Sequence, residues 1–184
     1  MGLIPENLMK LDYSFLYKEA NFCQRCGNPL ILKEDEEGKL RGICPNCGFV
    51  LYRNPIPAVA IFCMDEDSRL LLVKRKLEPQ AGWWALPSGY MEIFMTPEQN
   101  AVAEMQEETG LKGAVEHCIG WYYGFSPIYF RVLSIGFNMK ITGGKLMAGD
   151  DAEKAEFFHL KELPPIAFDA HKYFIQKETG IRAP

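Results

Sequence analysis

A chain of 184 residues can hold one full domain, or a domain of ordinary size with a small module beside it. Its 48% hydrophobic and 24% charged residues are those of a soluble globular protein, and a net charge of −4 with a pI near 5.5 argues against a dedicated binder of nucleic acid or anionic membrane, which would need excess Lys and Arg. No apolar run approaches the roughly 18 residues of a membrane span, and the start Met1-Gly2-Leu3-Ile4-Pro5-Glu6 lacks the basic and apolar parts of a secretory signal, so a cytoplasmic protein with reduced thiols is expected.

Residues 1–21 are mixed, with Leu8, Leu11, Phe15 and Leu16 predicting a short packed helix. Over residues 22–53, Cys23-Gln24-Arg25-Cys26-Gly27 and Cys44-Pro45-Asn46-Cys47-Gly48 form two Cys-x-x-Cys-Gly knuckles separated by 17 residues. That spacing suits four thiolates placed tetrahedrally around zinc; two disulfides or unrelated thiols are the alternative, disulfides being disfavoured in a reducing compartment. Glu34-Asp35-Glu36-Glu37-Gly38 reads as a hairpin tip, giving a zinc ribbon whose metal supplies folding energy that so short a core lacks. Arg25, Lys33, Lys39, Arg41 and Arg53 are nearly balanced by four consecutive acids, so the ribbon is expected to serve structure or homodimer formation rather than nucleic acid.

Arg53-Asn54-Pro55-Ile56-Pro57 reads as a linker into a second domain, residues 54–184. Ala58 to Met64 and Leu70 to Lys76 are β-rich apolar runs joined by Asp65-Glu66-Asp67-Ser68, which predicts a hairpin. Cys63 and Cys118 lie in apolar runs and are expected to be inert core thiols. Thr96 to Gly110 predicts a helix: Thr96 caps it, Pro97 suits its first position, Gln99 completes a capping box and Gly110 ends it. Further strands are expected near Ala114–Trp121, Tyr129–Ile141 and Glu156–His159, and a last helix from Phe168 to Thr179. His117, His159 and His171 lie in unrelated contexts and are assigned to packing or solvent.

On the first of these helices Glu104, Glu107 and Glu108 fall at i, i+3 and i+4 and share one face, with no Lys or Arg from Pro97 to Gly110. Like charges at that spacing repel by about 0.2–0.5 kcal/mol per pair, and the helix dipole disfavours acids near the carboxyl end by a similar amount. A hard divalent cation would reverse both penalties. The bland alternative is a solvated acidic face.

The residues around this face resemble the Nudix box. Gly89, Glu104, Met105, Glu107, Glu108, Gly110 and Leu111 match its constrained positions, and the approach Gly82-Trp83-Trp84-Ala85-Leu86-Pro87-Ser88-Gly89 is similar to the family's usual lead. The resemblance implies an α/β fold, an α/β/α sandwich with a mixed sheet, that hydrolyses a diphosphate linkage in a nucleoside diphosphate derivative. It implies Glu104, Glu108 and the Gly89 carbonyl as ligands of Mg²⁺ or Mn²⁺, with Glu107 assisting. A further carboxylate is expected from Asp150-Asp151-Ala152-Glu153, for which Glu153 is chosen over Glu156. The family's Glu–Arg brace is replaced by Met95 and Ala103, which leaves open a Nudix-fold protein that binds a nucleotide derivative without cleaving it. The signature of ribbon-bearing NADH pyrophosphatases is absent after the box. The span from Cys23 to about Glu178 instead resembles ribbon-bearing FAD and ADP-ribose pyrophosphatases of plant chloroplasts. Tyr122, Tyr123 and Phe125 are the candidates for stacking a flat adenine or flavin, with core packing as the alternative.

Overall fold

The structure, a computed structural model, describes residues 21–149 and 151–184, so the helix expected over residues 1–21 falls almost wholly outside the described residues. The chain divides between Asn54 and Pro55 into two compact units.

The first unit is a three-stranded antiparallel sheet of β1 (Ile31–Glu34), β2 (Leu40–Ile43) and β3 (Val50–Leu51). Its hairpin tip forms because the Asp35 carboxylate accepts from the Glu37 and Lys39 amides and from Arg41 Nε, satisfying donors that the turn leaves unpaired. Each knuckle closes by a backbone bond, Gly27 N to Cys23 O and Gly48 N to Cys44 O. Both glycines sit at φ near +70°, where a side chain is strained.

In the second unit the order is β4 (Ile56–Cys63), β5 (Arg69–Arg75), β6 (Trp84–Ala85), β7 (Ser88–Tyr90), α1 (Pro97–Thr109), β8 (Leu111–Ser126), β9 (Phe130–Gly144), β10 (Ala152–His159) and α2 (Asp169–Thr179). One sheet runs β7-β4-β9-β8 and a second β10-β5-β6. The larger is mixed, since β4 is antiparallel to β7 and parallel to β9. Alternation along β4 sends Val59, Ile61 and Cys63 into a core with Ala101 and Met105 of α1, and Ala60 and Phe62 into one with Phe174 and Ile175 of α2. The layers are therefore helix, sheet, helix. Each fully buried Leu, Ile or Phe contributes about 1.5–3 kcal/mol, so these two cores carry the unit.

Three expectations are corrected. The runs at Ala58–Met64 and Leu70–Lys76 are joined by a tight turn on Asp65, but they enter different sheets and share only the bridge Met64 to Leu70. Ile56 and Pro57, expected as linker, already belong to β4. Cys118 is exposed, because bulges between Val115 and His117 and between Cys118 and Gly120 change which face each residue of β8 presents. Cys63 is a buried core thiol, and burial pushes it up to about 12.

Candidate active site

Helix α1 begins as its sequence dictates. Thr96 accepts from the Gln99 amide, the Gln99 side chain accepts from the Thr96 amide, and Gly110 closes the helix in the left-handed region. The side chain of buried Asn100 then ties the helix to the preceding loop, accepting from the Glu92 amide and donating to Tyr90 O. At the other end a loop caps the last carbonyls, with Met147 N on Thr109 O and Gly149 N on Glu108 O. The acidic face is thereby fixed against the β6–β7 turn.

Glu104 lies against Gly89, so closely that a Cβ built there would sit 1.9 Å from Glu104 Oε1 and 2.4 Å from Oε2. No other residue type fits that position without displacing the carboxylate. Glu108 Oε2 accepts from the Ser88 amide at 2.8 Å. Burial pushes the Glu108 carboxyl up to about 8; the Ser88 amide and Arg75 oppose this, while the charges of Glu104 and Asp151 add to it. Glu107 is exposed at the edge of the same face. Two carboxylates thus meet the backbone of one segment, with an oxygen-only donor set that suits a hard divalent cation and a protonation state that such a cation would reverse.

Of the expected loop carboxylates, Glu153 is engaged elsewhere: both its oxygens lie on Lys74 Nζ, at 3.2 and 3.1 Å. Asp151 is the one whose charge reaches Glu108, while Glu156 lies 3.8 Å from Lys154. The aromatic candidates split between the two sheet faces. Tyr122 packs in the core on the α2 side, 5.4 Å from the Tyr173 ring. Tyr123 and Phe125 are 52% and 68% exposed on the opposite face with Trp121, and the Arg131 guanidinium lies 5.5 Å over the Tyr123 ring. The register Gly89–Val59–Ile135–Trp121 places this stripe three strands from the acidic site, about 14 Å at about 4.8 Å per strand. Met95 is 40% exposed and Ala103 half-buried. His117 lies on Glu178 at 3.2 Å, and His171 is buried with Nδ1 accepting from the Leu86 amide at 3.1 Å, a role that nothing local in the sequence signals.

In the ribbon unit the ligand atoms of Cys23, Cys26, Cys44 and Cys47 all lie within 4.8 Å of one another, with Cys23–Cys47 and Cys26–Cys44 sulfur separations of 3.7 and 3.5 Å. The edge of a tetrahedron built on Zn–S bonds of about 2.3 Å is about 3.8 Å. The four thiols therefore fit zinc, and the six cysteines are all free of disulfides.

Comparison with known proteins agrees with this architecture. A family model described as the NUDIX domain matches residues 54–177, and one described as Nudix N-terminal, a zinc ribbon, matches residues 21–53. An ADP-ribose pyrophosphatase of Methanocaldococcus jannaschii is 45% identical over 120 residues, 63% of this chain and 70% of that protein. An NAD-capped RNA hydrolase of Stutzerimonas stutzeri is 28% identical over 152 residues, 80% of this chain; the chain spans 51% of its length. The crystal structure of a NUDIX hydrolase from Nitrosomonas europaea superimposes with a TM-score of 0.74 at 30% identity, covering 89% of this chain and 95% of that one. A matched domain over two thirds of the chain, a ribbon model over the preceding segment and a helix whose acids sit on Ser88-Gly89 of β7 make this chain a member of the Nudix hydrolase family, carrying that family's amino-terminal zinc ribbon.

Proposed function

We propose that residues 54–184 form a catalytic domain that hydrolyses the diphosphate linkage of a nucleoside diphosphate derivative, with ADP-ribose as preferred substrate and AMP as a product. The observation that carries this is the meeting of Glu104 and Glu108 with the backbone of one segment, Ser88-Gly89 at the start of β7. Glu104, Glu108 and the Gly89 carbonyl, with Glu107 beside them, would hold Mg²⁺ or Mn²⁺. Such a cation neutralises charge on the phosphoryl oxygens and makes water acidic enough to attack. The chain's own part is positional. The Ser88 amide holds one Glu108 oxygen and leaves the other for ligation, and the missing side chain at Gly89 lets Glu104 reach the strand. Asp151 is the better candidate for the additional carboxylate, since Glu153 is on Lys74.

The likeness to an ADP-ribose pyrophosphatase supports the substrate, and Tyr123 and Phe125 offer the exposed faces on which an adenine would stack. FAD and NADH-like dinucleotides share the linkage. We further assign structural zinc to residues 22–53, a homodimer as the working unit and, from six unpaired thiols, a cytoplasmic location. Among the described residues no helix is long and apolar enough to cross a membrane.

The test is to incubate purified protein with Mg²⁺ or Mn²⁺ and ADP-ribose, FAD or NADH and to measure AMP. AMP from ADP-ribose that depends on the divalent ion supports the reading; none from any of the three overturns it. The absence of charge at Met95 and Ala103 favours a second reading, a protein that binds the nucleotide without cleaving it. Calorimetric binding of ADP-ribose with no AMP released would establish that one.

A further inference from the structure

Between β6 and β7 the chain passes from one sheet to the other, and two amides of the crossing donate to side chains rather than to a neighbouring strand. On the way in, Trp84 N donates to Pro165 O and Trp84 O accepts from Ala167 N, while Ala85 is registered with Val73. On the way out, Ser88, Gly89 and Tyr90 are registered with Ala60, Val59 and Ala58. Pro87 has no N–H, and its carbonyl accepts from Ile61 N. That leaves the amides of Leu86 and Ser88. Two side chains from opposite layers take them: His171 of α2 accepts from Leu86, and Glu108 of α1 accepts from Ser88.

We infer that His171 is a positioning residue for the acidic site, clamping the Leu86-Pro87-Ser88 crossing from the α2 side as Glu108 clamps it from the α1 side. The inference deepens the reading of Glu104, Glu108 and Gly89 as a divalent-cation site and rests on it. An imidazole that accepts at Nδ1 is neutral with its proton on Nε2. The environment enforces that state, since burial first and the charge of Arg75 second hold His171 down at about 3. The ring is also oriented: Phe168 lies edge-on to it at 5.1 Å and carries the Arg75 guanidinium at 4.8 Å, and Arg75 Nε is anchored on Pro79 O at 2.9 Å. Leu86 is fully buried, so without its acceptor the amide would be stranded and the crossing would have to turn. Ser88 lies two residues on and would turn with it, releasing Glu108 Oε2.

The experiment compares H171F, which keeps a flat ring but offers no acceptor, with H171N, whose side-chain oxygen lies near the Nδ1 position. Three quantities are read on the zinc-loaded protein well below its melting temperature. They are the exchange rate of the Ser88 amide against amides of β5 and β9, the Mn²⁺ Kd from the resonance signal of the free ion, and kcat and KM for ADP-ribose. In H171F, Ser88 exchange should rise, the Mn²⁺ Kd should weaken about tenfold or more and kcat should fall with KM little changed, the size expected when a ligand's supporting shell is lost. H171N should recover most of each effect. If H171F fails to fold, H171Q, whose acceptor reaches toward Nε2 instead, takes its place with the same expectation. An H171F protein that melts earlier but keeps wild-type Ser88 exchange and Mn²⁺ affinity overturns the inference, as does an H171N no better than H171F. Wild-type protein that binds no Mn²⁺ overturns the metal reading instead, and Ser88 exchange alone then decides the role of His171.

Discussion

Glu108 carries the sharpest residue-level consequence. Its carboxyl is held at about 8 by burial, against an ordinary value of 4.5. A native state that binds the proton more tightly than the unfolded chain loses stability as pH rises between those values. Above its ordinary 6.5 His171 is neutral in both the native and the unfolded state, and in the second unit Glu108 slopes the curve downward between pH 6.5 and 8. The melting temperature of zinc-loaded protein without other divalent ions should therefore fall across that window. The fall should be lost in E108Q, and in wild type with saturating Mg²⁺; an unchanged slope in E108Q would sink the assignment. E104Q and E108Q should each abolish divalent-dependent AMP release, read by chromatography, while full turnover in either would remove it from the site. At Met95 and Ala103 the exposure changes what a repair is worth. Met95 is 40% exposed and Ala103 half-buried, so a long charged side chain at either can reach water. M95E and A103R alone should therefore each shift stability by less than about 1 kcal/mol, with a favourable coupling of about 0.3–1 kcal/mol in the double mutant if the two meet. Strict additivity in a thermal double-mutant cycle would show that they do not touch.

At the scale of elements, what was legible in the sequence was what is written locally. Helix α1 was readable to its caps because Thr96, Gln99 and Gly110 act on neighbours one turn away. The ribbon was readable because two knuckles need only their own spacing and a glycine. Other features depend on distant partners. The assignment of β4 and β5 to different sheets follows from β9 and β10, far along the chain. Bulges in β8 turned Cys118 outward, and no composition of that strand announces a bulge. The split of Tyr122 from Tyr123 and Phe125 is plain strand alternation, but which face meets α2 is set by β4 and β9. His171 accepts from an amide 85 residues earlier. For the ribbon the expectation is one zinc per chain by elemental analysis, with removal by a strong chelator unfolding residues 22–53, since so small a sheet has little other core. C44S, which removes a fully buried ligand, should lower zinc content to near zero; normal zinc in that variant would refute the ligand set.

Across the whole molecule, two opposed layers set the acid and alkaline limits of stability. His171 on the α2 side is depressed to about 3, so the stability it holds is complete above pH 6.5 and is lost as pH falls toward 3, whereas Glu108 on the α1 side acts between 4.5 and 8 in the opposite sense. Metal-free protein should be most stable in mildly acid solution, and a divalent ion should move that optimum upward by removing the alkaline limb, which a melting-temperature series with and without Mn²⁺ will show. The parallel pairing of β4 with β9 has a consequence of another kind. Ile56 is registered with Val132, a sequence separation of 132 − 56 = 76 residues. During synthesis the ribbon is complete before β9 exists, while β4, with its run Ala58-Val59-Ala60-Ile61-Phe62-Cys63, must wait for its central partner. Closing so long a loop before its contacts form makes the second unit a slow folder, and the waiting strand is its point of exposure to aggregation.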